Sequence, residues 1–134
     1  MSQHSFSLQS VVYSALSSDG ALSDIINGVY DDVPEGTAFP YVVIGEDTAT
    51  NIGTNTIDAL EHTMTLHVWS QYRGRKEAKQ IMSRIYEILH NADLPATDAV
   101  LVNLRQEFET TLVEADGLTR HGVMRFRAVM FDLT

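Results

Sequence analysis

The last third of the chain constrains the fold most. Val100, Val102, Leu104, Phe108 and Leu112 recur on even positions, and so do Met124, Phe126, Ala128 and Met130, with Asp116-Gly117 between the two runs. A period of two marks a strand with one buried face. Opposed residues in an antiparallel pair point to the same side of the sheet, so even positions must pair with even. A two-residue Asp116-Gly117 turn puts the two apolar faces on opposite sides. A three-residue turn, Ala115-Asp116-Gly117 with Gly117 left-handed, keeps them together and pairs Glu114 with Leu118. That register sets Glu107 opposite Arg125 and Arg105 opposite Arg127. The second pair repels unless a nearby acid such as Glu107 or Glu109 screens it.

The upstream segments read as follows. Leu8, Val11, Val12, Ala15 and Leu16 recur at helical spacing behind a cap at Ser5 or Ser7, and Gly20 suits the helix end. Leu22, Ile25 and Ile26 fit a short second helical turn stopped by Gly28. Pro34, Gly36 and Pro40 make residues 31–40 an irregular connection before a short strand, Tyr41-Val42-Val43-Ile44. His62 to Gln71 alternates, with Met64, Leu66 and Val68 on one face and Thr63, Thr65, His67 and Trp69 on the other. Gly74 to Ala92 predicts a third helix with Ala78, Ile81, Met82, Ile85, Tyr86 and Leu89 on one side and Pro95 beyond its end. Between the strands, Asp47 to Glu61 is rich in threonine, asparagine and acid, which fits a long polar loop or an extended hairpin.

These segments predict a single α+β domain over residues 1–134, with a long polar loop at about 47–61. The sheet is expected to be mainly antiparallel and four-stranded, with the helices packed on one face, the one bearing Met64, Phe108 and Phe126. A chain of 134 residues buries roughly two-thirds of its unfolded surface, enough to fold without staples. The other face carries His67, Trp69, Arg105, Glu107, Arg125 and Arg127, together with Val123, Val129 and Phe131. It is too apolar at one end for a wholly wet surface, which points to a partner.

Charge is unevenly placed. The net charge is −9, and residues 1–72 hold none of the 9 Lys and Arg but half of the 18 acids. The second half is balanced, so the whole excess lies in the first. Such a balance argues against non-specific wrapping of nucleic acid. An acidic half and a basic cluster between Arg73 and Arg84 also describe a self-complementary surface, against the plainer alternative of a solvated acidic face and an ordinary helix.

Catalytic patterns do not emerge. The chain has no cysteine, which excludes disulfides, thiol nucleophiles and thiolate metal sites. His4, His62, His67, His90 and His121 show no His-x-His or helical His-x-x-x-His spacing, and His62 and His67 fall on opposite faces of one strand, so no metal is expected. No nucleophile elbow, phosphate-cradling loop or dinucleotide fingerprint is present, so neither a cofactor nor an enzyme is expected. No apolar run approaches the ~20 residues of a membrane span. Met1-Ser2-Gln3-His4 lacks a basic leader region, so a soluble chain made in the cytosol is expected.

One local rule is broken. Arg73, Arg75 and Lys76 crowd the start of the third helix, where the dipole is already positive, and Arg75 and Lys79 repel at i, i+4. An anion there, such as a carboxylate of another subunit or a phosphate, is favoured over simple relief by Glu77. Trp69, the only tryptophan, fits an interface anchor and a packed sheet residue equally well.

Phe39-Pro40-Tyr41-Val42-Val43-Ile44-Gly45-Glu46, then Thr65-Leu66-His67-Val68-Trp69-Ser70, Gly74 with Glu77-Ala78, and a closing Arg125-Phe126-Arg127 strand resemble the tail-completion (tail-terminator) proteins of long-tailed bacteriophages and prophages. The Leu8–Leu16 helix and Val29-Tyr30-Asp31 also fit, so the resemblance spans most of the chain. It implies an α+β virion protein, made in the bacterial host cytoplasm, that assembles into a ring at the head-proximal end of the tail tube. Such rings are often hexamers. It also implies contacts with the major tail tube protein and the head connector or stopper, with DNA passing through the lumen without specific binding. The family offers no catalytic residues. From charge and loops, the subunit or partner interface is expected to draw on Asp47, Asp58, Glu61, Trp69, Arg73, Arg75, Lys76 and Lys79. A stopper or adaptor of the same neck is the nearest alternative, and a small nucleic-acid-binding module resting on Arg73, Arg75, Lys76, Lys79 and Arg84 is a second.

Overall fold

A computed structural model describes residues 4–96 and 99–132. Met1 to Gln3, the bulk of the segment read as lacking a leader, lie outside the described residues. The elements in order are α1 (His4–Ser17), α2 (Gly20–Ser23), β1 (Val29–Tyr30), β2 (Tyr41–Asn51), β3 (Ala59–Ser70), α3 (Lys76–Leu89), β4 (Ala99–Val113) and β5 (Arg120–Asp132).

The fold is α+β with a five-stranded mixed sheet in the order β1-β2-β3-β5-β4. The sequence predicts a mainly antiparallel sheet of four strands; three of the four pairings are antiparallel, and the strand count is corrected to five. β1 is the addition; it runs parallel to β2, pairing Val29 with Val42 and Tyr30 with Val43. Two residues are too few to show an alternation, so β1 leaves no trace in the sequence pattern.

The segment 47–61 takes the extended-hairpin form. Asp47 to Asn51 pair with Met64 to Leu60, and only residues 52–58 remain as a tip. The threonines that made the segment look loop-like are strand residues here, as β-branching permits. A bulge between Ile44 and Asp47 holds Gly45 and Glu46 out of register.

The helices cover one face of the sheet. Leu8, Val12 and Leu16 of α1 and Ala78, Ile81, Met82, Ile85 and Leu89 of α3 pack with Val42, Met64, Leu66, Val68, Met124, Phe126, Ala128 and Met130. Burying each of the larger side chains contributes about 1.5–3 kcal/mol. Gly122 of β5 brings α3 close. A Cβ there would stand 2.6 Å from Met82 Sδ and 3.3 Å from Val68 Cβ.

Helix ends differ from expectation. Ser5 and Ser7 lie inside α1 rather than capping it, and Gly20 opens α2. α2 closes at Ser23, before Ile25 and Ile26. Its cap is Asp19, whose Oδ2 accepts the Leu22 N–H at 2.8 Å. α3 is shorter than residues 74–92 at both ends; Arg75 is its N-cap and makes no side-chain capping bond.

The β4–β5 hairpin keeps the expected register only in its middle, where Arg105 faces Arg127. Bulges at Leu101/Asn103 and Gln106/Phe108 shift the rest. Phe108, not Glu107, therefore faces Arg125, and it stands on the uncovered face instead of in the core. Val100, Val102 and Leu112 are exposed as well, and only Leu104 of the expected five is buried. The turn also holds one more residue than expected, so Glu114 donates its N–H to Thr119 O at 2.9 Å instead of pairing with Leu118. Asp116 organises this longer turn. Its carboxylate accepts the Leu118 and Thr119 N–H groups at 2.8 Å and the Thr119 hydroxyl at 2.6 Å, while Gly117 supplies φ +70°. These bonds, the Thr119 hydroxyl foremost, hold the Asp116 carboxyl below its ordinary range.

Candidate assembly surfaces

Three regions carry the residues singled out from sequence. The first is the start of α3. Arg73, Arg75, Lys76 and Lys79 are all exposed, and among the described residues none of them makes an ion pair. Glu77, the acid in the first turn, is engaged elsewhere, accepting the Ser70 hydroxyl at 2.7 Å. The fifth base of the expected cluster behaves differently. Arg84 donates from Nε and Nη2 to the two Asp19 oxygens at 2.9 and 2.8 Å, and from Nη1 to Glu87 at 2.8 Å. Arg84 thus ties α3 to the cap of α2. The bond from Arg84, then the Leu22 N–H, lowers the Asp19 pKa.

The second region is the β2–β3 hairpin. Asp47 and Asp58 are exposed and, among the described residues, unpaired. Glu61 instead lies 3.6 Å from Arg127, whose other arm meets Glu107 at 2.7 Å. These two acids are the screening that the Arg105–Arg127 pair requires. The hairpin tip presents Ile52 and Ile57, both about half exposed. As isolated apolar residues in a polar stretch, they leave no periodicity in the sequence to mark them.

The third region is the uncovered sheet face. Trp69 is half-buried there and stacks on His121, with ring centroids 3.8 Å apart and planes at 13°. His121 Nε2 lies 2.6 Å from His67 Nδ1. His67 Nε2 reaches Glu46 Oε1 at 2.8 Å, and His121 Nδ1 reaches Glu114 Oε1 at 2.9 Å. The chain of groups therefore crosses β2, β3 and β5 and ends where β4 stops. Both outer bonds need a proton on the imidazole, because ionised carboxylates only accept. Which ring donates across the inner contact is set by the tautomers of the two imidazoles. Burial, then the charge of His67, pushes the His121 pKa down, and the bond from His67 holds the Glu46 carboxyl low.

Local backbone makes this chain of groups possible. The β2 bulge aims Glu46 at His67. Gly45 leaves room for the ring: a Cβ there would sit 2.6 Å from His67 Cδ2 and 3.2 Å from Thr65 O. On the sequence, the five histidines look unrelated. His67 and His121 meet only through the β3–β5 pairing of Trp69 with His121, a long-range register that local spacing does not reveal.

The strand β3 separates the two charged regions. It spans 12 residues, about 35–40 Å, with the acidic hairpin at one end and the unpaired cations beyond the other. No group of three or more His, Asp or Glu able to hold a metal occurs among the described residues, and no helix is long and apolar enough to cross a membrane.

Comparison with known proteins gives one family. The model of the tail completion protein gp17 family matches residues 10–130. Tail completion protein gp17 of Bacillus phage SPP1 is 30% identical over 120 residues, covering 90% of this chain and 89% of that protein. Among solved structures, a chain from the virion of a native gene transfer agent particle overlays with a TM-score of 0.87 at 28% identity, covering 92% of this chain and 94% of its own. The SPP1 gp17 structure overlays with a TM-score of 0.63 at 28% identity, covering 96% and 90%.

Proposed function

The chain belongs to the tail completion protein gp17 family, and on that premise we propose that it closes into a ring at the head-proximal end of the tail tube, stops tube growth and joins tail to head. It is a structural protein of the virion tail, not an enzyme. In this reading its neighbours are the major tail tube protein on one side and the head connector or stopper on the other. The ring is a homo-oligomer, six-fold as is usual for such rings. DNA passes through the lumen, and a net charge of −9 keeps it from adhering.

The observation that carries this reading is the placement of unpaired charge. A ring contact is head-to-tail, so it joins two different surfaces of one subunit. Exposed Asp58 just before one end of β3, exposed Asp47 beside its middle, and exposed Arg73, Arg75, Lys76 and Lys79 beyond its other end supply two such surfaces. Their separation prevents them from neutralising each other within one chain. The overlay on a chain from an assembled virion supports the same reading.

Polymerising the tail tube protein with and without this chain tests it. Tubes that stop lengthening once the chain is added, and that carry it at one end only, are the expected result. Tube lengths unchanged by the chain would contradict the terminator role.

A further inference from the structure

We infer that the tip of the β2–β3 hairpin of one copy seats in the groove beside the start of α3 in the next copy. This deepens the ring reading above and rests on it. The groove has a volume of about 460 Å³ and is lined by Ala38, Phe39, Pro40, Gln71, Tyr72 and Glu77. Most of this lining is apolar. The Glu77 carboxylate is already held by Ser70, and Tyr72 is half exposed. Directly after Tyr72 the chain runs into the unpaired cations Arg73, Arg75 and Lys76, with Lys79 one turn on. The groove is thus an apolar floor with a positive rim.

The hairpin tip has the complementary character. Ile52 and Ile57 expose apolar side chains, exposed Asp58 follows Ile57 directly, and no Lys or Arg occurs anywhere in the first 72 residues. An apolar anchor in a pocket, ringed by opposite charge, is the usual anatomy of a specific contact. The tip is also shaped to be presented. Gly53 packs against the far side of the tip so closely that a Cβ would lie 2.3 Å from Ile57 O, and the Thr54 N–H donates to Ile57 O at 2.9 Å. The tip and the groove lie at opposite ends of β3, so a tip cannot fill its own groove. One copy donates and the next accepts, which is the heterologous contact that a ring requires.

The absence of cysteine makes the test direct. Ile57→Cys and Tyr72→Cys are introduced together, rings are assembled on tail tubes, and a short bis-maleimide is added. A ladder of covalent oligomers is expected from the double variant, and none from either single variant. The span of β3 exceeds the reach of the linker, so a link within one chain does not compete. Monomers alone, in preparations where microscopy shows rings, would overturn this contact and leave the ring standing. Equal ladders from a single variant would also overturn it, since like positions would then be neighbours. Tubes without rings would remove the ring reading itself. A second measurement guards against misfolding. Ile52→Ser/Ile57→Ser alters only exposed residues and should keep the wild-type melting temperature while lowering ring formation by roughly tenfold or more. Unchanged ring formation by that variant would equally count against the contact.

Discussion

His67 Nδ1 and His121 Nε2 stand 2.6 Å apart, the inner link of a Glu46–His67–His121–Glu114 chain that laces the uncovered face of the sheet. Burial and the neighbouring His67 keep the His121 pKa below its ordinary 6.5. The unfolded chain therefore binds more protons than the native one as pH falls below about 6.5. Stability present at neutral pH is lost on acidification. Glu46, Asp19 and Asp116, whose pKa values are also lowered, add the same sign of effect at lower pH, starting near 4.5 for Glu46 and 3.8 for the two aspartates. Melting temperatures should thus decline between pH 7 and pH 5.5. His121→Phe, which can keep the stack on Trp69, should remove that part of the decline. An identical pH profile for wild type and His121→Phe would show that the pair does not govern it.

Asp19 serves two elements at once, capping α2 and receiving the Arg84 fork from α3. Loss of a cap of this kind costs about 1 kcal/mol. Asp19→Ala should lower stability by at least that amount in urea titration at pH 7. Its deficit should shrink in acid, because the wild-type carboxyl loses its bonds on protonation. A deficit constant down to pH 3 would contradict the role.

Gly122 sets the distance between α3 and the sheet. Gly122→Ala drives a methyl against Met82 Sδ and should cost about 1–3 kcal/mol by overpacking. Met82→Ala alone leaves a cavity and costs about 2–5 kcal/mol. The double variant should cost less than the two single changes combined, because the new methyl occupies part of the space that Met82 vacates. Strict additivity in chemical denaturation would remove the contact as the reason for glycine.

Arg73→Glu/Lys76→Glu should leave the melting temperature of the subunit within a degree or so, since neither side chain makes an ion pair among the described residues. It should abolish salt-sensitive assembly. Sedimentation of wild type and variant at low and high salt reads both effects, because salt screens exposed charges. Ring formation by the variant equal to wild type would take the cluster out of the interface.

Much of this architecture is legible in the residues, and the misses have physical causes. The apolar side of α3 follows from Ala78, Ile81, Met82, Ile85 and Leu89, although Tyr86, expected with them, is exposed and stacks on His90; β3 follows from the alternation of Met64, Leu66 and Val68. The Arg105–Arg127 pairing follows from the parity of the closing hairpin. The same parity misplaces Phe108, because a bulge inserts a residue without a strong composition signal and turns the following side chains over. The turn is misjudged by one residue because Asp116 bonds two backbone groups and a hydroxyl at once, a choice decided by geometry. β1 is too short to leave a pattern. The basic end of α3 is visible as a broken helix rule. The apolar tip at Ile52 and Ile57 and the His67–His121 pair are not visible, since each acquires meaning only from its place in the sheet.

Negative-stain microscopy of tail tubes incubated with the purified protein tests the central claim most directly. A ring should cap one end of each tube with wild type and be missing with Arg73→Glu/Lys76→Glu. Bare tube ends with wild type, together with normal tails on virions that lack the protein, would contradict it.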